Sequence, residues 1–297
     1  MSPIEYEMRY LDMPVPSVKD DKVTGWQSVS LNKYVLIVGH DDNGGVTWDK
    51  DHPNNQAAHD ALLGKLRQHF AKAGATLVIH VKEAGGGVSH EEFDNWRDLW
   101  YYARKSFFGK GSPEEAQITL QLADRFGLLP AGGLQKYCDT YLGLDCNGFV
   151  GNYLIHGKAG KDWEAEPPGS DFLANQGIAT IVKRNGSQVN TVDELVATNS
   201  YLMALAASNG SVINQYADGS FGHILITVPG LKYESVYADD KKGKKVWTMW
   251  ATESTGGVGL ITAACQILDV SADGIFTVKR FSHPLMAGLR FRVFRVL

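Results

Sequence analysis

Cys146 has the clearest chemical potential in the sequence, because it stands between Asp145 and Asn147 just after a glycine-containing turn. The apolar residues that follow it, within residues 143–153, recur at helical spacing and predict a helix that begins close to the cysteine. Unpaired N–H groups and the helix dipole stabilise a thiolate there, which lowers the cysteine pKa and produces a nucleophile. A buried structural role is commoner for a single cysteine, but the helix-start position favours the nucleophile.

A thiolate nucleophile needs a base, and His223 is the best placed of the nine histidines. It opens an apolar strand predicted over residues 222–228, and the glycine before it leaves room beside the imidazole. Distance along the chain is no obstacle, because a cysteine and its histidine meet only in the fold. The sequence therefore predicts that Cys146 and His223 work as a pair.

The remaining histidines have no comparable setting. We expect His156 at a helix end and His283 in an exposed turn. The other six lie in the N-terminal half of the chain: His40, His52, His59, His69, His80 and His90. Asp49 and His52 share a loop, but no spacing typical of metal ligands supports a metal site there. The sequence thus predicts no metal and no other cofactor.

A third group should orient the imidazole and fix its tautomer. Glu253 ends a strand predicted over residues 246–253, at a height where it could face His223 across a hairpin. Bringing the two into register requires a bulge near residues 229–230. Three rivals for this role remain open: Glu234, Thr252 and Ser254.

The order and the amino-acid sequences of these segments resemble those of the NlpC-type papain-like cysteine peptidases. Asp-Cys-Asn-Gly-Phe-Val at 145–150 resembles the Asp-Cys-Ser-Gly-Phe-Val signature of that family, and Gly-His-Ile-Leu-Ile at 222–226 resembles its Gly-His-Val-Gly-Ile strand. Residues 192–203 resemble, more weakly, the segment that precedes that strand in the family. The resemblance covers about residues 130–260. It implies a papain-like α+β core and cleavage of amide bonds in bacterial cell-wall stem peptides, often between D-glutamate and a diamino acid.

The resemblance also implies a role for each matching residue. Cys146 is the nucleophile, His223 is the base, and Glu253 takes the place of the third polar residue. In the family that third residue is usually His, Asn or Gln. The interval from Cys146 to His223 is longer here than is usual in the family.

A substrate subsite is implied as well. Asp145 is expected to receive the free amine of the substrate, and an upstream tyrosine often joins that subsite. Tyr137 is the nearest such tyrosine, with Tyr141 as second choice. Asn147, which replaces the usual serine, is also expected to contact substrate.

Elements on either side of residue 110 predict an α+β protein with two parts. Residues 1–110 are interpreted as an N-terminal α/β region of unknown role, with a helix over about 90–108. Residues 111–297 are interpreted as the papain-like hydrolase domain, in which the helix bearing the cysteine packs on an antiparallel sheet. The clearest helix start is Ser112, which precedes a proline and two glutamates.

Composition excludes several classes. The net charge of −4 provides no positive field for nucleic acid. Hydrophobic residues at 44% and charged residues at 21% are typical of a globular chain. Three cysteines form no disulfide or zinc pattern, and we expect structural roles for Cys138 and Cys265.

No apolar run has the length of a signal peptide or a membrane span. We therefore expect a soluble protein that is cytoplasmic as synthesised. A wall hydrolase without a cleaved signal suggests a delivered enzyme, either an antibacterial effector or a phage lysis or entry component, with a delivery or immunity protein as partner. A cytoplasmic enzyme that recycles imported wall peptides is the alternative.

Three hypotheses for function follow. The first is a cysteine amidase or endopeptidase that acts on peptidoglycan stem peptides. The second keeps the Cys/His pair but hydrolyses or transfers a lipid acyl chain. The third is an inactive wall-binding or structural module in which Cys146 merely packs.

Overall fold

The computed structural model of the chain describes residues 1–36, 53–168, 172–214, 222–235, 245–282 and 288–297. Within these ranges helices alternate with short strands at first, and the last third is almost entirely antiparallel strand. The predicted α+β class is therefore confirmed. Four residues named above lie outside the described residues: His40, Asp49, His52 and His283.

The described residues form seven α-helices and twelve strands. The helices are α1 (Pro3–Leu11), α2 (Pro53–Phe70), α3 (Trp96–Ala103), α4 (Pro113–Arg125), α5 (Gly133–Tyr141), α6 (Cys146–Asn152) and α7 (Ile178–Asn185). The strands are β1 (Met13–Lys19), β2 (Lys22–Val29), β3 (Leu77–Lys82), β4 (Val88–Phe93), β5 (Gly186–Val189), β6 (Tyr201–Leu205), β7 (Ile224–Thr227), β8 (Lys232–Ser235), β9 (Lys245–Thr255), β10 (Gly259–Val270), β11 (Phe276–Arg280) and β12 (Leu289–Val296). A 3-10 helix at Arg104–Phe108 follows α3, and a π-helix at Tyr153–Lys158 continues α6.

Six antiparallel strands form a closed sheet, in the order β9, β10, β11, β12, β6 and β7, with β7 pairing back to β9. Two short strands flank it, since β5 pairs with β12 and β8 pairs with β9. Thr227 of β7 pairs with Ala251. Lys232 of β8 pairs with Thr248. The segment 228–231 therefore contains more residues than the part of β9 that faces it, which is the bulge that the sequence predicts near residues 229–230.

The interior of the closed sheet is an apolar core of its own. Alternation along the strands sends side chains such as Leu225 and Ala251 inward. Ile224 and Ile226 point to the opposite side and join the larger core that contains the helices. α6 packs against β7 and β9. The helix that begins at Cys146 therefore lies on the outer face of the closed sheet.

The first helix of the chain also packs on α6. Tyr6 and Tyr10 of α1 are fully buried, and their ring centroids lie 6.0 and 6.3 Å from that of Phe149. The Tyr10 hydroxyl donates to the Gly111 carbonyl oxygen at 3.0 Å. Elements before and after residue 110 thus share one apolar core, while the predicted division of roles between them stays a prediction.

Local capping explains two of the helix starts. Ser112 caps α4 as predicted, because its hydroxyl accepts from the Glu115 N–H at 3.2 Å while the Glu115 carboxylate accepts from the Ser112 N–H. The helix predicted from about residue 90 is wrong at its beginning, since residues 88–93 form β4. Asn95 decides this, because its side chain caps the N–H groups at the start of α3.

Candidate functional site

α6 begins at Cys146 because Asp145 caps its first turn. The Asp145 backbone is extended (φ −98°, ψ 177°), and its carboxylate accepts from the Gly148 N–H at 2.6 Å. The predicted helix start is therefore present, with the cysteine as its first residue.

Two glycines let the loop before α4 touch this helix start. Gly109 has φ +73°, and a Cβ there would lie 2.6 Å from the Val35 carbonyl oxygen and 2.9 Å from the Asp145 nitrogen. A Cβ on Gly148 would overlap the Gly109 carbonyl oxygen. Only glycine fits both places, and the close approach puts Lys110 Nζ 2.5 Å from Asp145 Oδ2.

The Cys146 sulfur is enclosed by protein. The residue is 0% exposed, and its thiol donates to Asn147 Oδ1 at 3.5 Å. Burial and the Asp145 carboxylate raise the pKa of the thiol to about 12, although the Ile224 N–H and the Lys110 ammonium favour the thiolate. The predicted lowering of the Cys146 pKa is wrong for the protein without substrate. The cost of desolvating the thiolate is larger than the stabilisation that the helix start provides.

His223 lies at the same end of the closed sheet as the cysteine. It directly precedes β7, and its carbonyl oxygen accepts from the Leu205 N–H of β6 at 2.9 Å. The next residue, Ile224, presents its backbone N–H to the Cys146 sulfur. The structure therefore brings the predicted nucleophile next to the strand that the predicted base directly precedes.

A buried carboxylate, Glu253, binds the histidine ring. His223 Nε2 forms a hydrogen bond with Glu253 Oε2. Arg280 Nη1 donates to the same oxygen at 2.5 Å, and the Ser282 hydroxyl donates to Oε1. The Glu253 and Arg280 side chains are 1% and 3% exposed, so this ion pair is buried.

Glu253 is ionised in this setting. Burial opposes its charge, but the hydrogen bond from His223, the Arg280 guanidinium and the Ser282 hydroxyl outweigh burial and lower its pKa to about 2. A carboxylate only accepts hydrogen bonds, so His223 Nε2 carries the proton. The Nδ1 lone pair is then the one that can take up a thiol proton.

Strand alternation explains why these side chains meet. Glu253 lies on the face of β9 that carries Ala251 into the interior, and Arg280 lies on the face of β11 that carries Val278. His223 occupies the same face at the start of β7, diagonal to the glutamate across the β7–β9 pair. The polar cluster therefore closes one end of the apolar interior.

The rivals for the third role have other partners or positions. The Thr252 hydroxyl pairs with Thr262 Oγ1 at 2.6 Å, and the Ser254 hydroxyl donates to the Leu144 carbonyl oxygen at 2.7 Å. Glu234 lies on β8. Among the hydrogen bonds of the described residues, the glutamate at the end of β9 is the candidate that is bonded to the histidine ring.

Two predicted substrate-binding residues lie beside the cysteine but already have protein partners. Asp145 binds Lys110 through one oxygen and the Gly148 N–H through the other, and it is fully buried. Asn147 Nδ2 donates to the Gln176 carbonyl oxygen at 2.9 Å. A substrate ammonium group can reach the aspartate only by replacing the lysine.

The predicted subsite tyrosines lie elsewhere. The rings of Tyr137 and Tyr141 contact each other with centroids 4.8 Å apart. Both line a cavity of ≈ 220 Å³ between α2 and α5. No hydrogen bond of the described residues joins either tyrosine to Asp145, so the structure does not assemble the subsite that the resemblance implies.

Three residues that complete the site escaped sequence analysis: Lys110, Arg280 and Ser282. For Arg280 a signal exists, because it continues the inward row of Phe276 and Val278 on an alternating strand, where a charge needs a partner. The signal for Lys110 is weaker, a lysine between two glycines before a capped helix. Nothing local marks Ser282.

Within the described ranges, no group of three or more His, Cys, Asp or Glu is placed to hold a metal ion. His156 has a separate partner, since its Nδ1 contacts the Lys161 carbonyl oxygen at 3.0 Å. No helix in the same ranges is long and apolar enough to cross a membrane.

Comparisons of the chain with protein-family models, with curated proteins and with solved structures produced no match. The chemistry of the site is therefore the ground on which a function is assigned.

Proposed function

We propose that the chain is a cysteine-dependent amidase or endopeptidase that cleaves amide bonds in peptidoglycan stem peptides. The observation that carries the proposal is the buried His223–Glu253 hydrogen bond beside the helix that begins at Cys146. A thiol, an imidazole and a carboxylate that fixes the imidazole tautomer are the parts needed for acyl transfer. The papain-like NlpC-type core and the peptidoglycan substrate are supported by the sequence resemblance at 145–150 and 222–226.

In the first half of the proposed reaction, the Cys146 thiol proton moves to His223 Nδ1 while the sulfur attacks the amide carbon. The carbonyl electrons move onto oxygen, and the first N–H groups of α6 stabilise that oxyanion. His223 then gives the proton to the amide nitrogen, the C–N bond breaks, and the amine leaves an acyl-cysteine thioester.

In the second half, water replaces the thiol as the nucleophile. Its oxygen attacks the thioester carbon while one of its protons moves to His223 Nδ1. The C–S bond breaks, the Cys146 sulfur takes the proton back from the histidine, and the carboxylic acid leaves. The enzyme returns to its starting state after consuming one water molecule.

A thiol that stays protonated until substrate arrives fits the electrostatics of the site. The raised pKa of Cys146 keeps the thiol protonated at neutral pH. Arg280 lies 2.5 Å from Glu253 Oε2 and offsets the charge of that carboxylate. The thiol therefore gives up its proton during the attack on the substrate, rather than before the substrate arrives.

A catalytically inactive binding module is the second candidate. It is favoured by the complete burial of the Cys146 sulfur and by the raised pKa of its thiol, since an exposed thiolate would be ready to react. The two candidates differ in what Cys146→Ala does. The variant abolishes turnover in an enzyme, whereas it leaves the binding of a module unchanged.

The test is incubation of purified muropeptides with wild-type protein, Cys146→Ala and Cys138→Ala. Cys138 is the matched control, because burial also raises the pKa of its thiol, but its sulfur contacts the Ser30 carbonyl oxygen. Mass spectrometry is expected to show peptides with a new amine and a new carboxyl terminus for wild type and Cys138→Ala. Cys146→Ala should leave the muropeptides intact.

Each alternative has its own signature in the same experiment. Cleavage by Cys146→Ala at the wild-type rate would exclude the cysteine mechanism. Equal muropeptide binding by wild type and Cys146→Ala, without turnover by either, would establish a binding module. Release of free fatty acid from lipid vesicles by wild type alone would indicate an acyl hydrolase.

A further inference from the structure

A cleft of ≈ 490 Å³ lies against α2 and α3, and no residue that lines it belongs to the site around Cys146. We call it the arginine cleft. Its lining includes three arginines and three aromatic residues: Arg67, Arg97, Arg104, Trp96, Trp100 and Tyr101. Small-ligand sites are typically about 300–1,000 Å³ and apolar with a few polar groups, and this cleft has that size and character.

The arginines of the cleft differ from others in the chain in their ionic partners. Among the described residues, none of them forms an ion pair, whereas Arg9, Arg125 and Arg280 each pair with a carboxylate. Arg104 is half-buried, and burial lowers the pKa of its guanidinium. Asp98, the one carboxylate that lines the cleft, accepts from Asn95 Nδ2 at 2.7 Å. A partly desolvated cation without a partner favours an anionic ligand.

These guanidinium groups lie within cation–π distance of aromatic rings. The guanidinium carbons of Arg67 and Arg97 lie 4.6 and 5.3 Å from the Trp96 ring centroid. That of Arg104 lies 5.5 Å from the Tyr101 ring centroid. A stacked guanidinium keeps its N–H edge for hydrogen bonding, and that edge matches a carboxylate in bidentate geometry.

The spacing of the arginines favours an elongated ligand. Arg97 lies in the first turn of α3 and Arg104 caps its end. At 1.5 Å per residue their backbones are about 10 Å apart along the helix axis. One small oxyanion does not span that separation, whereas an extended peptide covers it in about three residues at roughly 3.3 Å each.

We propose that the arginine cleft binds an acidic peptide segment in extended form. Its carboxylates pair with Arg67 and Arg97 at one end and with Arg104 at the other, while its apolar atoms cover Trp96 and Tyr101. The chain as a whole has a net charge of −4, so the attraction comes from this local cluster rather than from a general positive field.

The test is isothermal titration of tetraglutamate peptide into Cys146→Ala protein, with tetraglutamine peptide as the uncharged probe. Arg97→Gln and Arg104→Gln are each expected to weaken tetraglutamate binding about tenfold, the loss typical of one charge-assisted hydrogen-bonded pair. Arg104→Lys keeps the positive charge but removes the bidentate hydrogen-bonding geometry, so it should weaken binding less than Arg104→Gln. Arg184→Gln removes an exposed arginine at the end of α7 and should bind like the parent.

The outcomes separate the proposal from its alternatives. Absence of tetraglutamate binding, or an equal loss in Arg184→Gln, would overturn it. Binding of tripolyphosphate in place of tetraglutamate would overturn it in favour of a phosphorylated ligand. If Arg104→Gln does not fold, the exposed Arg97 still provides the test. The Cys146→Ala background makes the result independent of the proposed hydrolysis.

Discussion

The candidate site contains two buried carboxylates, and each is bonded to a basic side chain. Asp145, directly before the cysteine, lies 2.5 Å from Lys110 Nζ. Glu253, at the end of the closed sheet, lies 2.5 Å from Arg280 Nη1. By burial and charge the two pairs are alike. They differ in what else each carboxylate binds.

Asp145 uses its second oxygen to cap a helix through the Gly148 N–H, a group that never gives up its proton. Glu253 shares an oxygen between Arg280 and His223, and a histidine side chain can act as an acid or a base. A buried carboxylate with a basic partner is therefore not in itself a sign of chemistry. What distinguishes Glu253 is its bond to a histidine, whose second ring nitrogen can still accept a proton.

Glu253 and Asp145 are expected to differ most in their effect on turnover. Glu253→Gln is expected to lower kcat for muropeptide cleavage by roughly 10³- to 10⁴-fold, because the amide no longer selects the imidazole tautomer with Nδ1 free to accept. Asp145→Asn should change kcat by less than about tenfold, the scale of one charged hydrogen bond. Steady-state rates at neutral pH, with circular dichroism to verify folding, make the comparison. Equal losses in both variants would show that the two carboxylates do not differ in role.

The second contrast is in stability. Lys110→Met leaves the Asp145 charge buried without its partner, so the free energy of unfolding should fall by about 3–5 kcal/mol. The double variant Lys110→Met/Asp145→Asn should recover most of that loss. Urea denaturation measures both, and a double variant as unstable as the sum of the single variants would argue against a coupled pair.

The third contrast is in the pH dependence of stability. The pKa of Glu253 is about 2 in the folded protein, against an ordinary 4.5, so its contribution is present above pH 4.5 and is lost as the pH falls toward 2. The difference is worth about 3 kcal/mol. Denaturation curves for wild type and Glu253→Gln at several pH values should converge as the pH falls through this window. Parallel curves would contradict an ionised, stabilised glutamate.

The smallest effect is expected at Ser282, which donates to Oε1 of Glu253 and not to the oxygen bonded to His223. Ser282→Ala should lower kcat by several-fold, on the order of 1 kcal/mol for one hydrogen bond to a charge. Ser254→Ala is the matched control, because the Ser254 hydroxyl is also buried but binds a backbone carbonyl oxygen instead. It should lower thermal stability and leave kcat unchanged, and a similar fall in kcat for both serines would remove the special role of Ser282.

The positions of Cys146 and His223 could be predicted because local patterns mark them. A polar cap before an apolar helical stripe fixes where a helix begins, and a short apolar run after a glycine marks a strand. The α+β class follows from the same patterns. The pairing of His223 with Glu253 was within reach as well, since strand alternation and the bulge at 228–231 together bring them close.

The pKa of Cys146 and the environment of Tyr137 could not be predicted in this way. The helix start stabilises a thiolate in solution, but how much water reaches the sulfur depends on how β7 and the loop at 109–111 pack against that helix start. Tyr137 is close to Asp145 in sequence, yet α5 directs its ring toward α2. Sequence proximity carries no information about the side to which a helix presents a residue in the fold.

The sequence by itself determined where the helix of the site begins and which segments form its strands, because capping and periodicity act over a few neighbouring residues. Only the tertiary structure decided the partners of the buried charges. Lys110 meets Asp145 because two glycines let distant segments touch, and Arg280 meets Glu253 because the sheet closes on itself. Such contacts depend on the register and packing of segments far apart in the chain, and these are properties of the whole fold.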